Sequence, residues 1–161
     1  FDNNKKVLKI INVGRLIYQK DHLTFLKALN LLNSRVRFKA LIVGSGSEKA
    51  KLKNYINQNN LDKKVQIFDY LKNPFPLIKK ADIFVLTSVY EGLPNVLLEA
   101  LVLKKVIFST NCQTGPKEIL ENGKIGTLFK VGDYKSLSLN LIKFIRNKKK
   151  NEKKFIYFTF F

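Results

Sequence analysis

The sequence predicts a doubly wound α/β fold, a parallel sheet with helices on both faces. Three observations carry that expectation. Short apolar runs rich in Val, Ile and Phe alternate with amphipathic helical patterns, which is the rhythm of βαβ units. The connections between them are short and carry Gly, Pro, Asn or Asp, the residues that turns require. The most distinctive segments all follow an apolar run, and sheets of this kind bind ligands beyond the carboxyl ends of their strands.

Taken in order, residues 7–13 read as a buried strand and 21–32 as a helix with Asp21 as N-cap. Residues 38–43 form the next strand, followed by Gly44-Ser45-Gly46-Ser47 and a helix over 48–57. A third strand covers 65–68, with a short helix around 76–80. The fourth strand, 82–87, leads through a Gly/Pro turn into a helix over 95–103. A fifth strand over 106–109 precedes a short helix at 117–120, and 126–131 adds a last strand before a helix over 134–146. The architecture expected is therefore a Rossmann-like parallel sheet with right-handed crossovers.

The bulk numbers fit one globular domain. The chain has 161 residues, 45% hydrophobic and 26% charged, enough for a proper core. No apolar segment is long enough to span a bilayer and no secretory signal opens the chain. The chain begins at Phe1 and has no Met at all, so it is expected to be a fragment or a truncated reading frame. One Cys and one His exclude an internal disulfide and make a structural zinc site an unsuitable reading. Both facts suit a reducing cytoplasm.

Net charge is +18, from 30 basic and 12 acidic residues. That balance favours phosphorylated small molecules, anionic lipid or nucleic acid. The lysines are spread along the whole chain, which points to a background compositional bias that solvates the surface. A nucleic-acid surface would instead show Arg clusters interleaved with aromatics, so no nucleic acid is expected as a partner.

The chemistry concentrates in Ser88-Val89-Tyr90-Glu91-Gly92-Leu93-Pro94-Asn95-Val96-Leu97-Leu98-Glu99-Ala100, with seven residues between Glu91 and Glu99. A helix that starts after the Gly/Pro turn aims its first amides at the turn, a natural place for phosphate. Glu99 lies one helical turn past Asn95, placed to accept hydrogen bonds from a vicinal diol such as a ribose or a sugar; the plainer alternative is a surface Glu on an ordinary helix. Arg15 and Lys20 follow the first strand and supply a rigid fork and a mobile cation for phosphate oxygens. Gly44-Ser45-Gly46-Ser47 lacks the spacing of a dinucleotide or Walker loop and reads as a tight turn. His22 reads as packing or capping, and Cys112 has no evident activator. Gly115-Pro116 shapes the rim of the same crevice.

These residues resemble the donor-binding half of GT-B glycosyltransferases of the large retaining family 4. The likeness runs from about Val7 to Phe144. It rests on Val13-Gly14-Arg15-Leu16 with Lys20-Asp21-His22, Val43-Gly44-Ser45-Gly46, Lys72-Asn73-Pro74-Phe75-Pro76, Ala81-Asp82-Ile83-Phe84-Val85-Leu86, the Glu91 to Ala100 segment and Gly115-Pro116-Lys117-Glu118-Ile119. The resemblance implies one half of a GT-B fold and a nucleotide-diphosphate sugar, with UDP or GDP as carrier, as donor. Arg15, Lys20 and Glu91 would be catalytic, the two cations holding the diphosphate and stabilising the leaving group, Glu91 binding the donor sugar near its transferring carbon. Glu99 would bind the ribose, the amides of Gly92, Leu93 and Asn95 the sugar and phosphates, and Tyr70 and Leu71 the base, with Gly14 beside the diphosphate. The resemblance further implies no metal and no other cofactor. A hexose or N-acetylhexosamine would pass, with retention, to a polysaccharide or lipid-linked acceptor bound by an N-terminal domain that this chain does not contain. Such an enzyme works in bacterial lipopolysaccharide or capsule assembly, in the cytoplasm or peripherally on the inner face of the cell membrane.

Two departures stand out. Asp69 occupies the usual Gly position beside the base site, which bears on nucleotide choice, and Lys104 and Val106 replace Gly and Pro after the motif helix. The domain is expected to cover 1–147. The tail, 148–161, is a basic cluster leading into Phe155-Ile156-Tyr157-Phe158-Thr159-Phe160-Phe161, read as a truncation residue, an anchor on an anionic membrane surface or an edge strand. The competing functional reading is a non-enzymatic remnant, or a basic module that binds anionic lipid or nucleic acid.

Overall fold

The computed structural model describes residues 7–147. Six strands form one sheet in the order β3-β2-β1-β4-β5-β6, and every pairing is parallel. The strands are β1 (Leu8–Val13), β2 (Phe38–Val43), β3 (Val65–Phe68), β4 (Ile83–Leu86), β5 (Val106–Thr110) and β6 (Thr127–Phe129). The chain winds outward through β2 and β3, returns to β4 on the other side of β1, and continues to β6. The reversal between β1 and β4 opens a crevice at their carboxyl ends, where the distinctive segments lie.

Strand alternation explains how the sheet is covered. Leu8 and Ile10 of β1, Phe38, Ala40 and Ile42 of β2 and Val65 of β3 belong to one core cluster. It is completed by α1 (His22–Leu32), α2 (Lys49–Gln58) and α6 (Tyr134–Arg146). Phe144 of α6 meets Phe108 of β5 edge to face, ring centroids 6.1 Å apart. Ile11, Val43, Phe84, Leu86 and Ile107 face the other way, toward α3 (Phe75–Lys80), α4 (Asn95–Val102) and α5 (Pro116–Ile119). β4 sits near the middle and all four of its residues are buried, as a strand covered on both faces must be.

The expected elements are all present, with shifts of one or two residues at several ends. The fourth strand is shorter than expected: at one end the Asp82 side chain accepts the Lys9 N–H (2.9 Å), and at the other Thr87 Oγ1 accepts from Asn12 Nδ2 (3.2 Å). Asp21 does cap α1, accepting from the Thr24 N–H at 3.1 Å, from a left-handed conformation with φ 42°. That conformation closes a 3-10 turn over Tyr18–Lys20, which the sequence reading did not anticipate; nor did it anticipate a second at Glu121–Gly123. No described helix is long and apolar enough to cross a membrane. The alternatives for the tail fall outside the described residues.

Candidate functional site

The loop after β1 is pressed against the loop after β2. Gly14 N–H donates to the Val43 carbonyl (3.0 Å), Leu16 N–H to Ser45 (2.9 Å), and Glu48 N–H back to Leu16 (2.9 Å). A Cβ on Gly44 would lie 1.9 Å from the Gly14 carbonyl oxygen, and one on Gly46 2.4 Å from that of Leu16. The Gly-Ser-Gly-Ser segment is thus a tight turn whose glycines let two backbones meet. Leu16 is fully buried and anchors the loop. His22 anchors it a second time, because Nε2 donates to the Arg15 carbonyl at 3.0 Å. The imidazole is wholly buried, and burial pulls its pKa from 6.5 down to about 4, so it is neutral. Arg15 is therefore pinned by its backbone while its side chain stays exposed.

A second cluster joins the loops after β1, β4 and β5. Lys20 Nζ lies 2.5 Å from Glu91 Oε1, and Ser88 Oγ donates to the same oxygen at 2.5 Å. Glu91 is only 8% exposed; a carboxylate so buried requires charge and hydrogen-bond partners, and it has both. The Lys20 stem runs beside Gly14, whose Cβ would be 3.4 Å from Lys20 Cδ. Thr87 Oγ1 donates to the Lys20 carbonyl (3.0 Å), Gln19 Nε2 to the Tyr90 carbonyl (3.1 Å), and Thr114 Oγ1 to the Glu91 carbonyl. Gly115, at φ 86°, is there for close approach, since a Cβ would fall 2.3 Å from the Gly92 carbonyl oxygen.

Beside this cluster lies an open crevice of about 490 Å³ at the carboxyl ends of β1 and β2 and the start of α4. Gly14, Arg15, Tyr70, Leu71, Asn95 and Glu99 line it. Pro94, at the N-cap of α4, supplies no side-chain cap, so the amides of Asn95 and Val96 remain available. Glu99 Oε2 is buried and has no hydrogen-bond partner among the described residues. Such an orphaned acceptor is costly unless something satisfies it.

Of the residues expected at the site, six share the crevice lining. Lys20 and Glu91 stand next to it, engaged with each other, and Gly92 and Leu93 are exposed on the turn between. Asp69, beside Tyr70, is ion-paired with Lys49, whose hydrogen bond makes the carboxyl more acidic. Cys112 is buried, and burial pushes its thiol pKa up, which leaves it a poor nucleophile. The sequence reading missed Ser88 and Thr114 as supports of Glu91, His22 as the support of Arg15, and Lys72 as a further cation on the crevice wall. A Ser three residues before the first Glu was the one local signal available.

The profile of the family described as "Glycosyl transferases group 1" matches residues 1–158. An uncharacterized glycosyltransferase, MJ1059 of Methanocaldococcus jannaschii, is 40% identical over 111 residues, 68% of this chain and 27% of that protein. The N-acetylgalactosamine-N,N'-diacetylbacillosaminyl-diphospho-undecaprenol 4-alpha-N-acetylgalactosaminyltransferase of Campylobacter jejuni is 31% identical over 128 residues, 80% of this chain and 34% of that one. Among solved structures, Anabaena Alr3699/HepE in complex with UDP and glucose superposes with a TM-score of 0.83 at 21% identity, over 92% of this chain and 41% of its own. The chain thus spans about a quarter to a third of the length of these curated relatives, and its sheet is one half of a GT-B fold. Sequence profile, relatives and fold agree that the chain belongs to the glycosyl transferases group 1 family.

Proposed function

We propose that the chain is the donor-binding half of a retaining glycosyltransferase, which moves a hexose or N-acetylhexosamine from a nucleotide-diphosphate sugar to a polysaccharide or lipid-linked acceptor. One observation carries this reading: the Arg15 side chain, the uncapped start of α4 and Glu99, whose Oε2 has no partner among the described residues, share a single crevice. A nucleoside diphosphate has the matching groups, a diol for Glu99 and phosphates for Arg15 and the α4 amides. Tyr70 and Leu71 line the same crevice, and in this reading the base lies against them. The Anabaena protein bound to UDP and glucose supports the choice of ligand class, and the Campylobacter relative, named for transfer to a diphospho-undecaprenol carrier, supports the class of acceptor.

In this reading Lys20 and Glu91 work as a pair. Phosphate oxygens arriving beside Gly14 compete for the Lys20 ammonium now held by Glu91. The carboxylate so released accepts hydrogen bonds from the donor sugar, kept in place by Ser88. Arg15, Lys20 and the α4 amides then stabilise the negative charge that grows on the diphosphate as its bond to the anomeric carbon breaks. The acceptor oxygen bonds to that carbon on the face from which the phosphate oxygen departs, and its proton passes to that departing phosphate oxygen. Protein cations and the helix dipole take the role that a metal plays elsewhere. Acceptor binding falls to an N-terminal domain in the remainder of the protein, on the cytoplasmic side of the membrane.

Calorimetric titration with UDP, GDP and their sugars tests the reading, alongside Glu99→Ala and Arg15→Ala. Selective, weak binding that both substitutions reduce is expected, with little or no transfer by the chain alone. A folded chain that binds none of these nucleotides would remove the donor site from this proposal.

A further inference from the structure

Away from the crevice, an open groove of about 350 Å³ lies on the sheet face that carries α3. It exists because α3 has only six residues and packs on β1 and α4. Part of β2 and β3 is left uncovered on that side, whereas α1, α2 and α6 close the opposite face. Ile11, Leu41 and Phe68 form the floor. It is recessed at one side and open at the other, since Ile11 is 1% exposed and Phe68 45%. Lys9 and Lys39, register partners on β1 and β2, share the face of Ile11 and Leu41, nearer the amino ends of the strands. Lys63 and Lys80 stand with them around the floor, and no carboxylate lines the groove. Lys39 Nζ donates to the Lys63 carbonyl (2.5 Å). Ion pairs between described residues join Lys20 to Glu91, Lys49 to Asp69 and Lys51 to Glu48, so none of them neutralises Lys9, Lys63 or Lys80. Asp82, the neighbouring acid, accepts the Lys9 backbone N–H.

We propose that this groove docks an acidic segment of a partner protein, one that carries apolar anchor side chains between its carboxylates. The shape favours such a segment. A recessed apolar floor is filled by individual side chains, and the groove has room for a few of them; a flat surface would leave the Ile11 end of the floor empty. The charge favours it as well. The rim offers cations and no carboxylate to repel an acidic partner, and it turns away a basic one, including a second copy of this chain with its net charge of +18. Lysine stems shield the apolar edge while their ammonium groups reach outward to the partner's carboxylates. The anchors then supply most of the binding energy, and the rim charges fix register and partner choice. Lys9 and Lys39 sit near the amino ends of β1 and β2, whereas the crevice is at their carboxyl ends, so docking leaves the crevice open. The proposal does not depend on the donor reading.

Two measurements on the full 161-residue chain test it. The first is fluorescence anisotropy at physiological salt with a fluorescein-labelled peptide in which glutamate alternates with leucine or phenylalanine. Binding is expected, and a peptide with serine at every leucine and phenylalanine should bind about tenfold more weakly or worse. The Lys9→Gln/Lys63→Gln/Lys80→Gln variant should also lose about tenfold, the sum of three exposed ion pairs. A control, Lys124→Gln/Lys130→Gln/Lys135→Gln, removes the same charge from other exposed positions and should lose far less. Equal losses, or equal binding of the serine peptide, would mean diffuse attraction by net charge and overturn the proposal. So would a chain that leaves both peptides free, including one that sediments with phosphatidylglycerol vesicles instead. The second measurement uses Phe68→Trp, a unique reporter because the chain has no Trp. Its emission should shift to the blue when the leucine and phenylalanine peptide binds; an unchanged spectrum in the bound state would place the contact elsewhere and overturn the assignment.

Discussion

The two halves of the candidate site are built on opposite principles. Around Glu91 nearly every polar group is used: Lys20 and Ser88 hold the carboxylate, and Thr114 holds the backbone carbonyl. Gln19 and Thr87 tie the neighbouring loops. In the adjoining crevice the Arg15 side chain, the start of α4 and Glu99 Oε2 are unspent. The first half fixes geometry and the second holds back interactions for something else. A polar network that is fully satisfied rigidifies a site, and a group left unsatisfied is a cost carried for another purpose. Substitutions in the first half should therefore cost stability, and those in the second should cost binding.

The largest effect on stability is expected where the two loops meet. Gly44→Ala places a methyl carbon 1.9 Å from the Gly14 carbonyl oxygen, a clash with backbone that no rotamer relieves. A loss of about 4 kcal/mol or more follows, in the exceptional range for one substitution. Urea unfolding followed by circular dichroism measures it, and a midpoint near that of the parent chain would show that the loops can move apart.

Glu91→Ala comes next. It strands the ammonium of Lys20, whose side chain is 14% exposed, and removes the acceptor of Ser88. A cost of about 2–4 kcal/mol is expected, somewhat below that of breaking a fully buried pair. Adding Lys20→Met should recover part of it, and the double-mutant cycle should return a coupling of about 1–3 kcal/mol. Additive losses would mean that the pair is held by its surroundings rather than by itself.

How much of this contrast was legible beforehand differs between the halves. The strand and helix rhythm is written in local periodicity, and each strand and α-helix was found within a residue or two, whereas the two 3-10 turns were not. Arg15, Lys20, Glu91 and Glu99 stood out through their spacing and the family resemblance. Their supports did not. Thr114 reaches Glu91 across 23 positions and Lys20 reaches it across 71, and no window of sequence shows such contacts. His22 sits among polar residues in the first turn of α1, where nothing signals complete burial. Lys104, which stands where the family usually has Gly, adopts φ 53°, the left-handed value that glycine favours at a helix end.

His22 gives the loop after β1 a pH dependence. In the unfolded chain its imidazole titrates near 6.5, and in the fold near about 4. The unfolded state therefore binds the proton first, and stability present above pH 6.5 is lost as the pH falls toward 4. The full loss from this one group is about 3 kcal/mol. It should appear as a falling urea midpoint across that window, flattened in His22→Gln. An equal slope in that variant would assign the acid sensitivity to the carboxylates.

Glu99→Ala is expected to have the smallest effect on stability, and it separates the two halves most clearly. Because Oε2 has no partner to lose among the described residues, truncating the side chain removes a desolvation cost along with some side-chain packing. The unfolding midpoint should stay within about 0.5 kcal/mol of the parent or rise, as for a substitution outside the usual destabilising mechanisms. Affinity for a nucleoside diphosphate should nonetheless fall about tenfold to a hundredfold, the value of a charged hydrogen bond to a ribose hydroxyl. A variant that lost stability while binding as before would place Glu99 with Glu91 among the structural carboxylates, and the division between the two halves would disappear.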